Sequence, residues 1–171
     1  MPVIRREITC QYANVFCSEL SNAFKNVISS AKDDFESNLS CVRFEADKEK
    51  ITFVATDGVQ LAKYSLQKGI ETENLIKVSI PTKIVKGIIT CFSDIEFNVK
   101  IGFLKNDDFQ KIAFEWENGY IISSLVTENY PNWNVIIPKN FGTIVKFFGD
   151  FQRAVRTAKV LTTNEEPAIW F

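Results

Sequence analysis

Apolar residues return along this chain with two periods, and the two periods alternate. Over residues 14–31, Phe16, Leu20, Ala23, Phe24, Val27, Ile28 and Ala31 keep the i, i+4, i+7, i+8 rhythm of one helical face. The rhythm returns after Pro81 with Ile84, Val85, Ile88, Ile89 and Phe92. It returns a third time with Phe151, Ala154, Val155, Ala158 and Leu161. Each stretch opens on a short polar residue, Asn14, Thr82 or Asp150, whose side-chain oxygen can accept from the unpaired N–H groups of a first helical turn. These three predicted caps are evenly spaced, 68 residues from Asn14 to Thr82 and 68 from Thr82 to Asp150. Even spacing predicts a repeated unit.

Between the helical stretches the period drops to two, the mark of strands with one buried face. Val42, Phe44 and Ala46 alternate with Arg43, Glu45 and Asp47; Ile51, Phe53 and Ala55 follow, then Ala62, Tyr64 and Leu66. After the second helix come Ile95, Phe97, Val99 and Ile101, then Ile112, Phe114 and Trp116, then the neighbourhood of Tyr120. A strand-like stretch also precedes each helix, at residues 8–12, 75–80 and 143–148. The unit therefore reads strand, helix, strand, strand, strand. Two copies are complete, and a third stops at Ala168-Ile-Trp-Phe171, where its second strand should begin. The pattern predicts an α+β fold with helices packed on one face of antiparallel sheets, and a two-unit domain over residues 1–128. A generic α+β sandwich with accidental spacing is the alternative.

Composition narrows the chemistry. Of 171 residues, 46% are apolar and 24% charged, the balance of a chain that can bury a core. No apolar run approaches the roughly 18 residues of a membrane span, and no apolar stretch follows Met1-Pro-Val-Ile-Arg-Arg to make a signal peptide. A cytoplasmic protein with no membrane partner is expected. The cysteines, Cys10, Cys17, Cys41 and Cys91, fit no metal spacing and sit in apolar patterns, so all four are expected in the core as thiols. The net charge of −1 leaves any attraction to nucleic acid to local arrangement.

Catalytic signatures are missing. The chain has no histidine, which removes triad and His-zinc chemistry, and its seven glycines form no phosphate loop. The acidic pairs Asp33-Asp34, Asp107-Asp108 and Glu165-Glu166 lie in turn-like stretches and read as solvated charge, not as a two-metal nuclease site. No catalytic residue, metal or cofactor is expected.

The repeat and two local strings together resemble the bacterial beta sliding clamp, the processivity factor of DNA polymerase III. Phe53-Val-Ala-Thr-Asp-Gly-Val-Gln-Leu-Ala62 is similar to the hairpin of the clamp's middle domain, and Asp57-Gly58 is itself a tight-turn signal. Tyr130-Pro-Asn-Trp-Asn-Val-Ile-Ile-Pro138 is similar to the segment leading into the third domain. Residues 150–166 resemble the first helix of that domain and its trailing turn. The resemblance implies a DNA-clamp fold, with a middle domain at 1–128, a linker at 129–142 and an incomplete third domain at 143–171. Tyr130, Pro131 and Trp133 are then expected to pack between domains and not to stack on bases.

The resemblance also implies sites. In clamps an apolar cleft receives short peptides, with a Gln and Leu/Phe anchors, from the polymerase III catalytic subunit, the clamp loader and repair proteins. The matching positions here are Leu39, Thr56, Gly58, Val59, Gln60, Leu61 and Pro138. Val59 and Gln60 depart from the basic or polar pair that clamps often carry, which implies a less polar rim. Clamp rings are dimers around double-stranded DNA. The candidates for sequence-independent phosphate contact lie off the apolar stripes: Lys25, Lys83, Lys86, Arg153, Arg156 and Lys159. Asp33 and Asn38 stand near positions where clamps often touch DNA. Two functions follow as expectations: a clamp segment that tethers polymerase to DNA, or a shortened relative that docks clamp partners without forming a ring.

Overall fold

The order strand, helix, strand, strand, strand occurs twice in succession: β1 (Ala13–Phe16), α1 (Cys17–Ile28), β2 (Cys41–Ala46), β3 (Ile51–Thr56), β4 (Leu61–Leu66), then β5 (Ile76–Pro81), α2 (Thr82–Cys91), β6 (Asn98–Asn106), β7 (Phe109–Trp116), β8 (Gly119–Ser124). A computed structural model describes residues 13–34, 37–70, 75–92, 96–106, 109–138, 140, 142, 146 and 149–160. The chain divides into two compact units, Met1–Trp133 and Asn134–Phe171.

The first unit is α+β, with two four-stranded antiparallel sheets ordered β1-β6-β7-β8 and β4-β3-β2-β5. Each repeat lends its leading strand to the other repeat's sheet. β1 pairs with β6 (Val15 opposite Val99), and β5 pairs with β2 (Val42 opposite Ile80). Neither repeat can therefore complete its sheet alone, and the two fold as one body. The helices lie side by side: α1 packs on α2, β3 and β4, and α2 packs on β5 and β2.

Burial follows the periods read from the sequence in α1 and α2 except at Phe16, which ends β1 and is exposed. Cys17, Leu20, Ala23, Phe24 and Val27 of α1 are buried, as are Val85 and Ile88 of α2. Phe24 joins the two sheets. Its ring meets Phe53 of one at 5.1 Å and Phe114 of the other at 6.4 Å, both edge-on. Edge-on aromatic pairs contribute about 0.5–1.5 kcal/mol each beyond area burial. Phe44 continues the stack toward Phe53 (5.5 Å) and Phe103 (5.9 Å).

The helix starts correct part of the sequence reading. Asn14 is not a cap; it sits on the exposed side of β1, opposite Lys100. α1 instead begins after Phe16, whose backbone N–H donates to Glu19 Oε2 at 3.2 Å, one half of a capping box. Thr82 is the first residue of α2 and not its cap; its N–H donates to Ser40 O at 3.1 Å. The even spacing also loosens, to 65 residues from Cys17 to Thr82 and 69 from Thr82 to Phe151. Cys17 and Cys41 are buried, but Cys91 is exposed at the end of α2, one position off the buried stripe. Cys10, the stretch at 8–12, and the pairs Asp107-Asp108 and Glu165-Glu166 lie outside the described residues, as does most of 143–148.

In the second unit α3 (Phe151–Lys159) starts as predicted. Asp150 caps it, accepting from the Arg153 N–H at 2.9 Å. None of its residues is buried. Among the described residues no helix is long and apolar enough to cross a membrane, and no group of three His, Cys, Asp or Glu could hold a metal ion.

Candidate functional site

The β3–β4 hairpin is tied at its tip by two short side chains. Asp57 Oδ1 accepts the N–H groups of Val59 and Gln60, both at 2.8 Å. Thr56 Oγ1 donates to Gln60 O at 2.6 Å and accepts from the Gly58 N–H at 3.1 Å. Such local bonds let Asp and Thr hold a turn without help from sheet pairing. Gly58 has φ +96°, a conformation that side chains disfavour. The Gln60 N–H, then that of Val59, holds the Asp57 carboxyl below its ordinary range.

This turn carries Val59 out into solvent, 97% exposed, while Leu61 at its base is half-buried. Leu39 reaches the turn from the loop between α1 and β2. A β-carbon on Gly58 would stand 3.9 Å from Leu39 Cδ1. That loop is fastened at both sides of Leu39. Leu39 O accepts from the Lys32 N–H at 3.2 Å, and Asn38 Nδ2 donates to Asn129 O at 3.3 Å. Leu39, Thr56, Gly58, Val59, Gln60 and Leu61 thus share one rim of the first unit. Pro138 is exposed and belongs to the second unit.

Residues 125–133 run across the outer face of the sheet beneath this rim. The Val126 N–H donates to Ser79 O at 2.9 Å, and the Trp133 indole N–H donates to Glu45 Oε1 at 3.1 Å. Lys63 Nζ lies 4.9 Å from the Trp133 ring centre, and the Arg43 guanidinium lies 5.8 Å from that of Tyr130. Trp133 is buried, Tyr130 is half-buried and Pro131 is exposed. Burial pushes the Tyr130 phenol well above its usual range; its hydroxyl lies near the Thr56 backbone without a properly formed hydrogen bond. Between β5 and residues 125–130 a cleft of about 450 Å³ remains, lined by Arg43, Lys77, Glu128 and Tyr130 among others.

The predicted cations are all exposed, Lys25 on α1, Lys83 and Lys86 on α2, and Arg153, Arg156 and Lys159 on α3. Lys86 is engaged: its Nζ lies 3.1 Å from Asp33 Oδ1. Among the described residues Lys25 and Lys83 have no ion-pair partner.

The family model for the DNA polymerase III beta subunit, central domain, matches residues 15–132. The chain belongs to that family. Its fold is that of solved bacterial sliding clamps. It is 19% identical to the Pseudomonas aeruginosa sliding clamp solved bound to griselimycin, over 82% of this chain and 37% of that one, with a TM-score of 0.70. For the Streptococcus pneumoniae DNA polymerase III beta chain the identity is 24%, the coverage 82% and 36%, and the TM-score 0.68. For the Borrelia burgdorferi beta subunit, solved with a natural product, the figures are 25%, 78% and 33%, and 0.65. Among curated protein sequences none is similar enough to match. The chain spans about a third of the length of these clamps.

For this sliding clamp domain the hairpin tip was readable from Asp57-Gly58, but its fastenings were not. The Asn38–Asn129 and Glu45–Trp133 bonds join residues 91 and 88 apart, a distance over which sequence periodicity says nothing.

Proposed function

We propose that the rim formed by Leu39 and the 56–61 turn is one wall of a cleft that docks short partner peptides. The observation that carries this reading is the approach of Leu39 to Gly58, which gathers two sequence-distant apolar positions at one exposed rim. The partners are peptides with a Gln and Leu/Phe anchors, from the DNA polymerase III catalytic subunit, the clamp loader and repair proteins. An apolar anchor seats against Leu39 and Leu61 and removes their exposed surface from water. Val59 extends that surface outward. The binding of griselimycin by the Pseudomonas aeruginosa clamp shows that a member of this fold takes a ligand.

In this reading the chain is a segment of a sliding clamp: a central domain at 1–128, a linker at 129–142 and part of a third domain at 143–171. The whole clamp closes as a ring of two subunits and tethers polymerase to duplex DNA. The chain contributes binding surfaces and no catalysis. Lys25, Lys83, Arg153, Arg156 and Lys159 meet phosphates without reading sequence, and Lys86 joins them on leaving Asp33.

Calorimetric titration with such a peptide tests the cleft. Binding should be abolished by Leu61→Arg, because the docked peptide would bury an unpaired charge. Undiminished binding to a folded Leu61→Arg variant would overturn the assignment.

A further inference from the structure

Gln60 stands where the resemblance expects a residue that faces the partner, yet its side chain turns back onto the protein. Its Nε2 donates to Ser29 O at 3.3 Å and to Asp57 Oδ2 at 3.1 Å. A carboxamide nitrogen carries two protons, so both are in use. Ser29 caps the C-terminus of α1, where carbonyls lack a helical donor, and Gln60 supplies one from 31 residues along the chain. The backbone of Gln60 is held as well, its N–H by Asp57 and its carbonyl by Thr56. Val59, one residue earlier, makes no such return and is almost wholly exposed.

From this geometry we infer that Gln60 is a positioning residue, a strut that braces the 56–61 turn on the end of α1 and fixes the Val59 tip relative to Leu39. The inference rests on the peptide-docking reading for its functional consequence, and on the hydrogen bonds alone for the strut. Partner contact at the rim then falls to the apolar Val59, with Gln60 acting through the turn.

The strut requires a donor that faces two acceptors, one of them charged. Among the described residues Asp57 is the one charged group to which the amide hydrogen-bonds; Ser29 offers a neutral carbonyl. Gln60→Glu keeps the length and replaces the donor by an acceptor beside the Asp57 carboxylate. Two like charges so placed raise the pKa of the introduced carboxyl. As pH falls that carboxyl gains a proton and again becomes a donor, while Asp57, held low by its two N–H groups, stays ionised. Gln60→Lys keeps a donor throughout.

Peptide affinity is to be measured for the wild type, Gln60→Glu and Gln60→Lys between about pH 7.5 and about pH 5. Gln60→Glu should bind about fivefold more weakly at the upper end, the scale of one lost hydrogen bond, and recover toward the lower end. Neither the wild type nor Gln60→Lys, which keep a donor at every pH in this range, should show that recovery. A Gln60→Glu variant that follows the wild type at every pH, or a Gln60→Lys variant as weak as Gln60→Glu, would overturn the inference. Amide hydrogen exchange at Val59 and Gln60 in the unliganded protein separates this failure from failure of the docking reading. Removal of the strut by Gln60→Ala should speed exchange at both amides, whether or not peptide binds. Unchanged exchange would refute the strut by itself.

Discussion

Trp133 donates its indole N–H to Glu45 Oε1 at 3.1 Å, closing residues 125–133 over the outer face of a sheet 88 residues earlier in sequence. Glu45 also receives Arg43 Nε at 3.4 Å, and both side chains are largely buried. Trp133→Phe keeps an aromatic body and loses only the donor. It should cost about 1.5–3 kcal/mol, the range for a hydrogen bond to a charged group, seen as a lower urea midpoint with an unchanged slope. Stability equal to wild type would mean that ring packing alone fastens this segment.

Two glycines should prove sensitive for different reasons. Gly69→Ala would drive its β-carbon into the Lys48 carbonyl, a backbone group that cannot swing aside, where the chain also closes through the Ile70 N–H to Asp47 O at 2.8 Å. A loss of about 3 kcal/mol is expected from overpacking that cannot relax. Gly58→Ala meets only ordinary contact with Leu39, and its cost is the positive φ, about 1–2 kcal/mol. Thermal melts should rank the variants in that order.

Acid should loosen both hairpin tips of the β2-β3-β4 meander. Asp47 accepts from the N–H groups of Glu49 and Lys50, and Asp57 from those of Gln60 and Val59; each carboxyl is thereby held below its ordinary value. A carboxyl lowered on folding adds stability in full above its unfolded pKa, about 4, and loses it as pH falls through the lowered folded value. The melting temperature should therefore hold down to about pH 5 and decline below about pH 4. Asp57→Asn should remove part of that decline. An unchanged acid limb would show that these bonds add nothing to stability.

The alternation was legible in β2, where Phe44 and Ala46 are buried between less buried Arg43 and Glu45, whereas β3 is buried along its whole length and its outer face, Thr52, Val54 and Thr56, is covered as well. Caps were less so. Asn14 has the chemistry of a cap, but pairing with Lys100, far along the chain, draws it into β1. The exchange of leading strands between repeats is likewise invisible to local pattern, since β1 looks the same whichever sheet receives it. At the site, Asp57-Gly58 announces the turn, while the reach of Gln60 to Ser29 depends on where α1 ends in space.

Any DNA binding should be weak, indifferent to sequence and steeply dependent on salt. Each phosphate contact neutralised adds about 0.9 to the slope of log affinity against log salt. Lys25→Ala and Lys83→Ala should each lower that slope by about this amount. Asp33→Asn should strengthen binding, because it releases Lys86 from its ion pair. Fluorescence anisotropy over a salt series measures all three, and a salt-insensitive or sequence-selective complex would refute the assignment.

The docking wall proposed for partner peptides is Leu39 together with the 56–61 turn. The most direct measurement is an NMR titration of the protein with a short peptide carrying a Gln and Leu/Phe anchors. Amide signals of Leu39 and of residues 56–61 should shift together and saturate at one affinity, and the shifts should vanish in Leu61→Arg. Saturating shifts confined to another surface, with residues 56–61 unmoved, would contradict the claim.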